Sequence, residues 1–188
     1  MKVLIPTDQS EITLKQFAKC MRISQDESLD DQEKGVLIAS EIIGVSRETL
    51  NQANFDQLDD ICNKVATVLF HNNSPLVQRF EFKGIEYGFH PNLREATFGE
   101  LVDLDTYCQN FYDNLHLIME ILYRPILKEQ GNMYEIEAYD PKPSDKFKEL
   151  GLDIVSGALV FFYALGSQLS EISQRSLRGL GGKELELI

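Results

Sequence analysis

The chain has 188 residues and a mass of 21.4 kDa, enough for one ordinary domain, and its 43% hydrophobic and 26% charged content excludes wholesale disorder and fibrous folds. Eighteen basic against thirty acidic residues give a formal charge of −12, which is repelled by nucleic-acid backbones and anionic membrane faces unless a basic patch is set apart. No such patch is segregated, whereas residues 25–60 hold ten acidic residues against only Lys34 and Arg47, so −8 of the charge lies there and either repels like subunits or attracts a basic partner.

Lys2-Val3-Leu4-Ile5, closed by Pro6, reads as a short edge strand. Thr13 and Gln16 have capping-box spacing, which predicts a helix near residues 13–22. The charge-dense stretch from Ser24 to Asp31 reads as a mobile loop, and the helix expected over roughly residues 30–43 ends at the C-capping Gly44. Ser46 begins a short helix. Phe55 to Phe70 then places Leu58, Ile61, Val65, Val68 and Leu69 at helical spacing, and Asn72-Asn73-Ser74-Pro75 stops it. From Arg79 the period changes to two. Phe80, Phe82, Ile85, Tyr87 and Phe89 bracket Lys83-Gly84, the pattern of an aromatic β-hairpin that needs support from another element.

A second capping box, Thr97 with Glu100, opens a predicted long helix over 98–123. Leu101, Leu104, Cys108, Phe111, Leu115, Ile118 and Leu122 alternate three- and four-residue spacings, and Val102, Tyr112, Met119 and Tyr123 form a second stripe, so burial on two sides is expected until Arg124-Pro125 stops the helix. Residues 126–128 and 133–139, joined by Gln130-Gly131-Asn132, read as a second, more exposed hairpin. Pro141 and Pro143 make a rigid link. The last helix, from Leu152, carries Val155, Leu159, Phe162, Gly166 and Leu169 with Ile154, Ala158, Phe161 and Leu165 beside them, and is the expected central helix. Gly157 and its small neighbours fit a crowded core, or the close approach of another helix. Residues 1–180 are expected to form a single α+β domain, mainly helical, with two small hairpins packed on a long central helix pair. Residues 181–188 alternate charge and leucine behind a glycine hinge, as a flexible tail or a strand added to a neighbour.

Cys20, Cys62 and Cys108 are odd in number, widely spaced and without a C-x-x-C pair, which fits a reducing compartment. The opening residues lack the length and cleavage site of a signal peptide. The most apolar stretch, Ile154 to Leu165, falls short of the ~20 residues of a membrane span, so no membrane partner is expected.

Asp113, His116 and Glu120 stand at i, i+3 and i+7 of the predicted long helix and would share a face, resembling half a metal site. A helical di-metal centre needs a second acidic-x-x-His helix, which His71 and His90 do not supply, so hydrated positions opposite the Leu101 seam account for the trio. Cys108 and His116 lie about 12 Å apart along one helix and cannot form a nucleophilic pair there, while Cys108 with His71 or His90 remains the low alternative of an enzyme with a Cys/His site. Asp103 and Asp105 point apart around a helix. Glu100 and Asp103 favour its N-terminal dipole instead. Gly179-Leu180-Gly181-Gly182-Lys183-Glu184 lacks the first glycine, the Ser or Thr after the lysine, and the preceding strand of a phosphate loop. The reading therefore contains no catalytic, cofactor-binding or metal-binding residue.

The strings Tyr87-Gly88-Phe89-His90-Pro91-Asn92-Leu93, Thr97-Phe98-Gly99-Glu100-Leu101-Val102-Asp103-Leu104-Asp105-Thr106-Tyr107 and Leu122-Tyr123-Arg124-Pro125-Ile126 resemble a family of small proteins encoded among the structural and tail genes of tailed bacteriophages, including crAss-like phages. Ile5-Pro6-Thr7, Glu11-Ile12-Thr13-Leu14 and Val160-Phe161-Phe162-Tyr163 extend the resemblance over most of the chain. It implies a non-enzymatic virion structural protein without cofactor, such as a ring or connector subunit of the portal-to-tail region, assembled in the host cytoplasm. The implied partners are copies of itself, in a ring-shaped homo-oligomer, and other phage portal or tail proteins, with no sequence-specific nucleic-acid recognition. A tail assembly chaperone, absent from the finished virion, is the alternative.

Overall fold

In the computed structural model, which describes residues 4–71, 74–131 and 133–162, the first five α-helices begin where a side chain accepts an otherwise orphaned amide. Thr13 and Gln16 close a complete capping box at the start of α1 (Leu14–Gln25). Asp30 accepts from the Glu33 amide at 2.8 Å to open α2 (Asp31–Ile43), and Gly44, at φ 72°, ends it in the left-handed conformation that glycine adopts without penalty. Ser46 caps the single turn α3 (Arg47–Leu50), and Asn54 caps α4 (Phe55–Leu69). The apolar faces of these helices meet. Leu14, Phe17 and Cys20 of α1, Val36, Ala39 and Ile42 of α2, and Ile61, Val65 and Leu69 of α4 are all buried, α2 packing between α1 and α4. Each fully buried aliphatic side chain contributes about 1.5–3 kcal/mol.

Of the edge strand expected at residues 2–5, the described part, Leu4 and Ile5, forms no strand. Residues 1–3 lie outside the described residues, Leu4 to Pro6 have no regular structure, and Leu4 is exposed. Thr13 instead bridges Gly151: the Leu14 amide donates to the Leu150 carbonyl and the Leu152 amide to that of Ile12, both at 2.8 Å. Pairing moves there because Ile12 and Leu14 are both buried, so the bridge is welded into the core.

Both predicted hairpins form, and they join into one antiparallel sheet in the order β1-β2-β3-β4. Strands β1 (Arg79–Phe82) and β2 (Ile85–Phe89) are linked by Lys83 and Gly84 at φ 52° and 76°, the two left-handed residues of a hairpin turn whose twist suits the strands. Strands β3 (Tyr123–Gln130) and β4 (Met133–Ile136) are joined through a turn that begins at Gly131, at φ 61°. β2 pairs with β3 through Tyr87–Pro125, Gly88–Arg124 and Phe89–Tyr123. Pro125 is tolerated inside the sheet because the ladder changes partner there, from β2 to β4 past a bulge between Ile126 and Lys128, while its carbonyl still accepts from the Glu137 amide. Phe80, Tyr87, Tyr123 and Phe147 form an aromatic cluster behind the sheet, with ring centroids 5.0–6.0 Å apart.

The continuous helix expected over 98–123 is two helices, α5 (Phe98–Cys108) and α6 (Leu115–Leu122), separated by turns at 109–114. The interruption holds Asn110, Asp113 and Asn114, whose side chains compete with helical hydrogen bonding. Asn114 uses its amide nitrogen to bond the Tyr107 carbonyl left open at the end of α5. Leu115, Ile118, Met119 and Leu122 are buried as the seam predicts, whereas Leu101 and Val102 face solvent.

Helix α7 occupies residues 152–162 of the described chain and buries Leu152, Val155 and Ala158. Gly157 permits a close approach, though by a loop and not by a helix. A β-carbon there would lie 2.1 Å from the Pro75 carbonyl oxygen. The remainder of the predicted final helix and the 181–188 tail lie outside the described residues. The result is an α+β fold dominated by helices.

Candidate functional site

Four places among the described residues concentrate charge or exposed apolar surface: a buried ionic cluster beneath α5, a polar latch on α6, the groove between α2 and α4, and the outer face of α5.

The trio Asp113, His116 and Glu120 does not share a helix face, because Asp113 lies in the turns before α6 and pairs with Arg22 of α1. His116 is buried and Glu120 half-buried, where the sequence reading expects solvent-facing positions. His116 is buried with its Nε2 3.6 Å from Asp145 Oδ1, and burial, seconded by the Lys148 charge, lowers its pKa. Glu120 accepts a 2.7 Å hydrogen bond from the Ser144 hydroxyl and has Lys146 Nζ at 3.6 Å, yet burial still raises its carboxyl above the usual range. The pair therefore fastens the segment after Pro141-Pro143 onto α6, which brings Phe147 into the aromatic cluster. Among the described residues no group of three or more His, Cys, Asp or Glu is arranged to hold a metal ion.

The sequence reading missed the buried cluster. Glu100 closes its capping box through Oε2, which accepts from the Thr97 amide at 2.6 Å. Its other oxygen, Oε1, lies 2.8 Å from Arg124 Nη2 and 3.6 Å from His90 Nε2, without aligned hydrogen-bond geometry to either. Glu100 is 2% exposed and Arg124 7%. Burial by itself would raise the Glu100 pKa; the two Thr97 hydrogen bonds and the Arg124 charge outweigh it and hold the carboxyl below its usual value. His90 accepts from the Asn92 amide through Nδ1, so its neutral form carries the proton on Nε2, facing Glu100. Burial first, and Arg124 second, lower the His90 pKa. Three strings that looked architectural thus meet: the residue after β2, the cap of α5 and the second residue of β3. The available signal was a carboxylate at the cap's fourth position and an arginine inside an apolar stretch, both of which need a partner when buried. Outside the cluster, Asp103 of α5 accepts from the Tyr139 hydroxyl at 2.7 Å.

Cys108 is half-buried, and burial pushes its thiol pKa up, followed by the charge of Asp105. Cys20 is pushed up to about 12, chiefly by burial. Thiols so shifted stay protonated at neutral pH, which is unfavourable for nucleophilic chemistry. His71 lies beside Asp8, Gln9 and Asp153 in an open cavity whose described lining includes no cysteine. The segment 179–184 lies outside the described residues.

The groove between α2 and α4 is open and encloses about 430 Å³. Its floor is Gly35, Val36, Leu58 and Cys62, its rim includes Asp31 and Asp59, and Phe55 stands at its end, 70% exposed. Asp31, Asp56 and Asp59 have no ion pair among the described residues, unlike Glu33 with Arg47 and Asp60 with Lys64. A second apolar surface lies on α5, where Phe98, Leu101 and Val102 share one face at i, i+3 and i+4 with Phe98 83% exposed. No helix among the described residues is long and apolar enough to cross a membrane. Comparison of the chain with protein-family models, with curated proteins and with solved structures gives no match.

Proposed function

We propose that the chain is a non-enzymatic structural subunit of a tailed-bacteriophage virion, a ring or connector component of the portal-to-tail region that associates with copies of itself and with other portal or tail proteins. The observation that carries this reading is the presence of two unlike solvent-facing apolar surfaces, the acid-rimmed α2/α4 groove and the Phe98/Leu101/Val102 face of α5. Rings close through heterologous contacts, in which one surface of a subunit meets a different surface of the next. An acidic groove is poorly suited to meeting its own copy, because like charges brought together are repulsive. The clusters that hold histidine and carboxylate are consistent with a scaffold: His90, Glu100 and Arg124 tie α5 to the sheet, and His116 and Glu120 tie the 144–149 segment to α6. The virion setting comes from the resemblance carried by the strings around His90, Thr97 and Arg124.

Quantitative mass spectrometry of purified virions tests the reading. Recovery of the chain at a fixed copy number comparable to that of the portal is the expected result. Abundance in infected cells with none in particles assigns it instead to tail assembly chaperones.

A further inference from the structure

We propose that the α2/α4 groove receives residues 172–183 of a neighbouring copy of this chain, so that the contact between successive subunits is a cationic segment laid into an acidic, apolar-floored cleft. The inference rests on the ring-subunit reading and names what fills one of its two apolar surfaces, the groove, leaving the α5 face to other contacts.

The groove specifies what would fill it. Its floor of Val36, Leu58 and Cys62 asks for aliphatic side chains, and a volume of about 430 Å³ lies in the range that admits several of them. Its rim asks for cations, because Asp31 and Asp59 are exposed and lack ion pairs among the described residues, and nearby Asp56 adds a third unpaired carboxylate. The occupant is therefore a short segment in which leucine or isoleucine alternates with lysine or arginine.

Only two acid-free stretches of the sequence carry three cations, residues 12–25 and 172–183. The first is already engaged within the fold. Lys19 pairs with Glu41, Arg22 with Asp113, and the charge of Lys15 acts on Asp145. The second has the required alternation: Ile172, Leu177 and Leu180 stand among Arg175, Arg178 and Lys183, with no acid between Glu171 and Glu184. It also has reach. The described residues end at Phe162, whose ring lies 6.2 Å from that of Phe111, and nine further residues precede Ile172. Those nine span up to about 30 Å if extended and about 14 Å if helical, sufficient to cross to an adjoining molecule. A cationic strap of this kind would also relieve the repulsion that the −12 chain otherwise exerts on its own copies.

Reversing the charges on each side tests the contact on the full chain, by sedimentation velocity with thermal unfolding as the control for folding. The wild type is expected to sediment as an oligomer. Asp31→Lys/Asp59→Lys and, separately, Arg175→Glu/Arg178→Glu are each expected to fall to the 21.4 kDa monomer while keeping a single cooperative thermal transition, its midpoint lowered only by the loss of association. An equimolar mixture of the two variants, and a single chain carrying all four substitutions, are both expected to regain assembly, which a merely misfolded variant would not. An oligomeric wild type whose two variants stay oligomeric overturns this contact and leaves the ring-subunit reading standing. A monomeric wild type overturns both. Monomeric variants whose mixture stays monomeric overturn the docking between copies, whether or not the four-substitution chain regains assembly.

Discussion

Glu100 is a carboxylate on the inner side of a helix whose outer side presents Phe98, Leu101 and Val102. An inward acid on an outward-apolar helix persists because four groups meet its charge: the Thr97 amide and hydroxyl, the Arg124 guanidinium and the His90 ring. Removing one partner strands the other. Arg124→Met is expected to destabilise the fold by about 3–5 kcal/mol, because the Glu100 charge is left buried without a counter-charge. Adding Glu100→Gln to that variant is expected to recover part of the loss, since the amide still accepts from the Thr97 nitrogen while the uncompensated charge is gone. Urea unfolding of the two single variants and the double variant gives the coupling energy directly. Additive losses would show that Arg124 acts through packing alone.

At the scale of elements, the lesson lies in how α5 and α6 divide. The three- and four-residue spacing from Leu101 to Leu122 is unbroken in sequence, but periodicity reports only which residues would share a face if the helix were continuous. It does not weigh the local cost of Asn110, Asp113 and Asn114, and those residues end the helix. The consequence is asymmetric burial along one apparent seam. Leu115→Asp places an unpaired charge in a fully buried site and is expected to cost several kcal/mol, abolishing the cooperative thermal transition. Phe98→Ser, at the exposed start of α5, is expected to shift stability by no more than about 0.5 kcal/mol when measured at a concentration where the chain is monomeric. Turns and caps were legible for the opposite reason. Thr13 with Gln16, Gly44, Ser46, Thr97 with Glu100, and Lys83-Gly84 each carry their conformational instruction in one or two residues. The union of the two hairpins into one sheet was not legible, since it depends on Phe89 meeting Tyr123, 34 positions away along the chain, across a strand that contains a proline.

For the whole molecule, the buried histidines make stability depend on pH in a way that composition alone does not suggest. His90 and His116 sit in different parts of the fold, and both have pKa values lowered by burial, with Arg124 and Lys148 adding to the effect and Glu100, Glu95 and Asp145 opposing it. A histidine lowered in the folded state takes up its proton later than in the unfolded chain. As pH falls below the ordinary histidine value of about 6.5, the unfolded chain therefore binds protons first, and stability declines. Glu120 acts in the opposite sense: raised in the folded state, it binds a proton before its unfolded counterpart and adds stability as pH falls toward the ordinary glutamate range. Glu100, lowered in the folded state, contributes stability that is lost only at still lower pH. The histidines act at the higher end of this sequence, so the thermal midpoint is expected to fall between pH 7 and pH 5.5 even though that change brings the −12 chain nearer its isoelectric point and weakens its self-repulsion. Replacing both residues, as His90→Gln/His116→Gln, is expected to flatten the slope over that interval whatever its effect on the midpoint at pH 7. A slope unchanged by the double substitution would assign the acid sensitivity to other groups and show that neither imidazole is held neutral by the fold.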